Sequence, residues 1–162
     1  MSKPASVTTP KKNWKGTFIL FLSIVIGIFL FMLAAILIGQ TKGPLMPALH
    51  KNYRLMVIIT TAISVGCLYF ARLLWKKDME AAKNSLNPLN EKLNQHRQSL
   101  IKYMLICEMP VMLSIILYLL TAFFVFQVFA GIFLGFMLTM TPTKNKVAEQ
   151  LGLSGIEVQE LQ

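Results

Sequence analysis

Charge is what this chain has least of. Only 14% of its residues are Asp, Glu, Lys or Arg, and only seven are acidic, where a water-soluble domain carries about a quarter. Cysteine is nearly absent as well. Cys67 and Cys107 form no Cys-x-x-Cys pair, which argues against a disulfide-stapled fold and a zinc knuckle; both lie in apolar stretches and read as small buried residues. No nucleophile, base and orienting group recur at a workable spacing, so no catalytic residue, metal-ligand set or cofactor is expected.

What the chain has instead is long apolar runs. Phe18–Ile38 and Ala122–Met140 carry no charge, Leu55–Leu74 carries only Arg72, and Tyr103–Leu120 only Glu108. A bilayer core about 30 Å thick is crossed by roughly 20 apolar helical residues. The expected fold is therefore all-α: an integral membrane four-helix bundle with spans at about 18–38, 55–74, 103–120 and 122–140. A cytoplasmic arm (1–16) precedes the membrane domain (17–141), and short cytoplasmic helices (142–162) follow it. The first run is longer than a signal-peptide core and no small-residue cleavage site follows, so it reads as an uncleaved anchor.

The net charge of +9 does not point to nucleic acid, because the basic residues cluster beside the runs. Lys3, Lys11, Lys12 and Lys15 precede the first run; Lys76, Lys77, Lys83, Lys92, Arg97 and Lys102 lie between the second and third. With Arg72, Lys144 and Lys146, thirteen cations fall on one side of the expected membrane, leaving Lys42, Lys51 and Arg54 on the other. Positive charge marks the cytoplasmic side, so both termini are expected inside, with the basic clusters near anionic lipid headgroups. His50 and His96 then fall on opposite sides and cannot share a metal. Trp14 is placed to anchor at the lipid interface.

The connections are legible too. Gly39–Asn52 contains Gly39, Gly43, Pro44 and Pro47 and reads as an outer loop. Helix formers follow Trp75 until Asn84–Pro88 stops them, with Asn87 as N-cap and Pro88 first in the next helix. Leu89, Leu93 and Leu100 continue at near-helical spacing, so a cytoplasmic helical hairpin is expected between spans 2 and 3. The apolar block Ile101–Met140 would make a single helix about 60 Å long and must turn back, near Thr121 and Ala122. Beyond it, Thr141 with Pro142 suggests a helix start, and Ser154 with Glu157 a capping box. The segment Val147–Ser154 looks like half a helix-turn-helix, but too little chain follows for a recognition helix.

Three features are candidate sites. Glu108 is a carboxylate within a span, and such residues are functional candidates; Pro110 beside it frees a carbonyl and is expected to kink the helix. Glu108 either pairs with Arg72, as an intramembrane ion pair that fixes helix packing, or serves as a proton or cation site, or reaches out towards water. The small-residue pairs Gly131/Gly135, Ser23/Gly27 and Ala62/Gly66 are expected to pack helices closely, within the bundle in preference to a dimer. The run Phe123, Phe124, Phe126, Phe129, Phe133 and Phe136 is either lipid-facing or the lining of a quinone or lipid groove.

The segments Ile101-Lys102-Tyr103, Cys107-Glu108-Met109-Pro110, Tyr118-Leu119-Leu120-Thr121 and Pro142-Thr143-Lys144-Asn145-Lys146 resemble a bacterial family of small four-span inner-membrane proteins without assigned function. The resemblance covers about the last sixty residues and implies a four-helix architecture that retains the span carboxylate. It implies no activity. Together these readings predict a multi-pass inner-membrane protein, not an enzyme, whose partners are membrane lipids and either another protein or further copies of itself. The functional expectation is a non-enzymatic accessory or scaffold subunit acting through helix packing and its cytoplasmic hairpin; the alternatives are a small proton- or ion-coupled transport or channel protein using Glu108, or a quinone- or lipid-binding component.

Overall fold

Apolar runs separated by helix-breaking residues fold here into helices alone. The computed structural model describes residues 10–159, and no strand occurs among them. Six helices follow in order: α1 (Pro10–Lys42), α2 (Tyr53–Asn84), α3 (Leu89–Thr121), α4 (Phe124–Thr139), α5 (Lys144–Leu151) and α6 (Gly155–Gln159), with a 3-10 turn at Pro47–Asn52. Helices α1, α2 and α3 are each long and apolar enough to cross a membrane. Helix α4 has 16 residues, about 24 Å, shorter than the expected 122–140. It reaches spanning length only together with α5, across a 72° bend.

Helix α1 begins earlier and ends later than its apolar run. Residues 10–16 are helical, not an irregular arm, because the polar first turns find partners: Asn13 Nδ2 donates to Asn94 Oδ1 at 2.9 Å, and the Trp14 indole donates to the Pro142 carbonyl at 3.1 Å. The rest of the expected arm, residues 1–9, and residues 160–162 lie outside the described residues. Gly39, expected to open the loop, stays inside α1. A Cβ there would sit 2.8 Å from the Tyr118 ring, so this glycine permits close helix approach. The helix ends instead at Gly43, whose φ of 69° is a left-handed cap.

The following loop closes the far end of α3. The amides of Leu45 and Met46 donate to the carbonyls of Leu119 and Leu120, and His50 Nε2 donates to Thr121 O at 2.8 Å. Those are carbonyls that a helix terminus leaves unpaired. The turn falls where the block length requires it: α3 stops at Thr121, Ala122 adopts a left-handed conformation (φ 56°) and α4 starts at Phe124.

Helix α2 runs unbroken to Asn84, and α3 starts at Leu89 with Pro88 as its cap residue, one position later than the Asn87 cap expected. The two run antiparallel, with Trp75 edge-on to both His96 and Tyr103. Helix α3 is the axis of the fold, packed by α1, α2 and α4; its Cys107, Val111 and Ile115 are completely buried. A second, smaller core forms between the α2–α3 turn and α5, from Ala82, Leu89, Leu93, Val147 and Leu151, with Trp14 of α1 packed against it. Helix α5 is capped by Thr143 rather than Thr141, whose hydroxyl donates back to Leu138 O; α5 ends at Gly152, φ 61°. The capping box of α6 is present. Glu157 accepts from the Ser154 amide at 2.7 Å and its hydroxyl at 2.8 Å, and these bonds hold its carboxyl below the usual range.

Candidate functional site

Arg72 and Glu108 do not meet. The ion pairs among the described residues are Lys76–Glu80 at 3.9 Å and Lys102–Asp78 at 3.1 Å. Arg72 lies one turn before Trp75 and neighbours Tyr103 and Cys107 of α3, and its guanidinium stands 5.9 Å from the centre of the Phe136 ring of α4. That is near the outer limit of a cation–π contact. Glu108 follows Cys107 by one residue, about 100° further around α3. It is half-buried, and no ion pair reaches it among the described residues. Helix α3 continues through the buried Pro110, and the Ser114 hydroxyl donates to the Pro110 carbonyl at 2.7 Å.

The small-residue pairs do not pack the bundle. A Cβ on Gly27, Gly66, Gly131 or Gly135 would meet nothing within 4 Å, and Ser23 and Ala62 are exposed. All three pairs face outward, against the expectation of internal packing. Close contact is made by other small residues: Thr60, Ser64, Ala71 and Ala82 are the buried positions of α2 together with Met79, and Gly39 receives Tyr118. The phenylalanine run is likewise divided. Phe126 and Phe133 are in the core while Phe124 is 69% exposed, so the run lines no single groove.

Side chains that sequence inspection passed over make the most organised polar groups. Asp78 Oδ2 accepts from the Ser99 hydroxyl at 2.9 Å and from Lys102 Nζ at 3.1 Å. On another face of α3, the buried His96 donates from Nε2 to Gln150 Oε1 at 2.9 Å, which joins α5 to the α2–α3 pair. Burial disfavours the imidazolium and lowers the His96 pKa, against the smaller opposing effect of the Gln150 bond. Trp14 is held by Pro142 and covered by the Lys144 ammonium, 5.3 Å from its ring centre, so it clamps the first helix to the C-terminal segment. Deeper in the fold, Thr60 Oγ1, Ser64 Oγ and both amide atoms of Gln127 are buried without a protein partner. Among the described residues no three His, Cys, Asp or Glu side chains converge as a metal site.

Two clefts flank the α2–α3 pair near these groups. One, of about 200 Å³, is lined by Asp78, Ser99, Lys102, Gln95, Gln98, Ala81 and Ala82. The other, of about 240 Å³, is bounded by Trp75, Lys76, Met79, Glu80, Lys83 and Gln150. In comparisons with known proteins, no protein-family model, curated protein or solved structure matches the chain.

Proposed function

We propose that the chain is a multi-pass inner-membrane protein with both termini cytoplasmic, acting as a non-enzymatic accessory or scaffold subunit through lateral helix contacts. Support for membrane residence comes from what the bundle leaves uncovered. Only 22% of the most apolar stretch of α1 and 17% of that of α2 is buried, far more exposed apolar surface than a soluble monomer tolerates. The thirteen-to-three division of cations supports the proposed orientation.

The observation that carries the scaffold reading is the outward placement of Ser23/Gly27, Ala62/Gly66 and Gly131/Gly135. In lipid, flat small-residue faces are where helices approach, and these have open space in front of them. Purification in mild detergent should recover a stoichiometric second protein or a homo-oligomer. Gly131→Leu with Gly135→Leu should release it at unchanged folded yield. A protein that is monomeric and alone in mild detergent would refute the reading.

Glu108 supports a second one. It is half-buried and makes no ion pair among the described residues, and an intramembrane carboxylate is costly to keep without a use. If it carries protons or cations, Glu108→Gln abolishes flux into proteoliposomes and leaves folding intact; flux equal to empty liposomes in the wild type removes this reading.

A further inference from the structure

We propose that the cleft at Asp78, Ser99 and Lys102 binds a phosphate ester bearing a primary ammonium, the chemistry of an ethanolamine phospholipid headgroup. The proposal rests on the membrane reading above. It begins from the saturation of one oxygen and the freedom of the other. Both bonds to the Asp78 carboxylate, from Ser99 and from Lys102, end on Oδ2, and no hydrogen bond reaches Oδ1 among the described residues. The Ser99 hydroxyl has one proton, shared between Asp78 Oδ2 at 2.9 Å and the Gln95 carbonyl at 3.0 Å, and both acceptors keep its oxygen beside the carboxylate. Gln95 and Gln98 add carboxamides to the wall, and two alanines leave the floor open.

This set suits neither a simple anion nor a simple cation. A lone phosphate would face the Asp78 carboxylate and a lone ammonium would face Lys102. A zwitterion answers both. Its ammonium donates to Asp78 Oδ1 and to carboxamide oxygens, while Lys102, 60% exposed, turns from Asp78 to the phosphate. The same oxygens discriminate against a trimethylated ammonium, which has no N–H to give.

Position supports a lipid. Asp78 lies one turn beyond Trp75, and Lys102 precedes Tyr103, so the cleft sits where the apolar stretches of α2 and α3 end. Leu74 is one turn above Asp78, and Met109, 68% exposed, is two turns above Lys102 on its side of α3. Acyl chains have apolar surface to follow from the cleft.

The test is native mass spectrometry of the full chain in detergent, titrated with ethanolamine, choline and glycerol phospholipids of matched chains. Ethanolamine lipid should bind roughly five- to tenfold more tightly than choline lipid, the net worth of one ordinary hydrogen bond. Asp78→Asn should abolish that preference. Because this variant also loses an ion pair, Gln95→Ala with Gln98→Ala, which leaves Asp78 and Lys102 in place, should reduce it independently. Displacement of the lipid by soluble phosphoethanolamine would support the site and identify the headgroup as sufficient; resistance to it would assign part of the affinity to the acyl chains. Equal binding of ethanolamine and choline lipids, or dominance of the glycerol lipid, overturns the proposal. A chain that stays monodisperse without detergent instead removes the membrane reading beneath it.

Discussion

Ala122 is the one non-glycine residue with positive φ among those described, at φ 56° and ψ 16°. An L-residue in this conformation brings Cβ against the backbone at a cost of about 1–2 kcal/mol. Glycine avoids that cost. It also gives the unfolded chain more freedom, which subtracts about 0.4–1 kcal/mol. The conformation cannot relax easily, because the Ala122 amide donates to Tyr118 O at 2.6 Å and the carbonyls before it are held by Leu45, Met46 and His50. Ala122→Gly should therefore stabilise the fold by about 0.5–1 kcal/mol, the difference between those two terms. Ala122→Val should destabilise it by more than 1 kcal/mol, since a β-branched side chain is a genuine outlier at positive φ. Unfolding of both variants in mixed detergent micelles, followed by circular dichroism, measures the differences against wild type. A Gly variant less stable than wild type, or a Val variant equal to it, would show that the turn is not held left-handed and would refute the reasoning.

Three further outcomes follow from the geometry. Gly39→Ala should cost about 1–3 kcal/mol through overpacking against Tyr118, and Tyr118→Leu should recover part of the loss in the same unfolding assay. Leu151→Ala empties a fully buried position in the smaller core and should cost about 2–4 kcal/mol, seen as proteolytic release of α5 and α6 while the rest resists. His96 has a lowered folded pKa, so the unfolded state binds protons first: its neutral form contributes stability above about pH 6.5 that declines as pH falls towards the folded value. Protection factors of the α5 amides, corrected for the intrinsic pH dependence of exchange, should fall over that window, and His96→Gln should remove the dependence.

The helices themselves were legible in the sequence because composition and length decide them. The apolar runs and the breakers at Asn84–Pro88 place α2 and α3 within a residue or two, and the forty-residue block forces a turn even though neither Thr121 nor Ala122 is a typical turn former. The errors came at helix ends, where tertiary partners override local signals. Gly39 looks like a breaker until Tyr118 is set against it, and the polar residues 10–16 look irregular until Asn94 and Pro142 supply acceptors. Thr141 and Thr143 are equivalent as caps on paper. What separates them is that Pro142 is buried beneath Trp14, which leaves the helix to start after it.

The candidate sites depend on phase around a helix as well as depth along it. Arg72 and Glu108 lie at similar depths on neighbouring helices, yet Arg72 neighbours Tyr103, Cys107 and Phe136 while Glu108 lies about 100° around α3 from Cys107. Phase also turns the small-residue pairs outward, with Thr60, Ser64 and Ala71 on the face that packs. The turn at Asn84–Pro88 makes α2 and α3 an antiparallel pair, but it does not set their register. The observed partners, Trp75 with Tyr103 and Asp78 with Ser99, lie about one helical turn further along α3 than positions equidistant from the turn. That offset comes from packing, so the Asp78 group depends on the tertiary fold. Gln127 does so as well, because its isolation depends on how α4 rests on α3 and α1, a relation that no local pattern in the chain encodes.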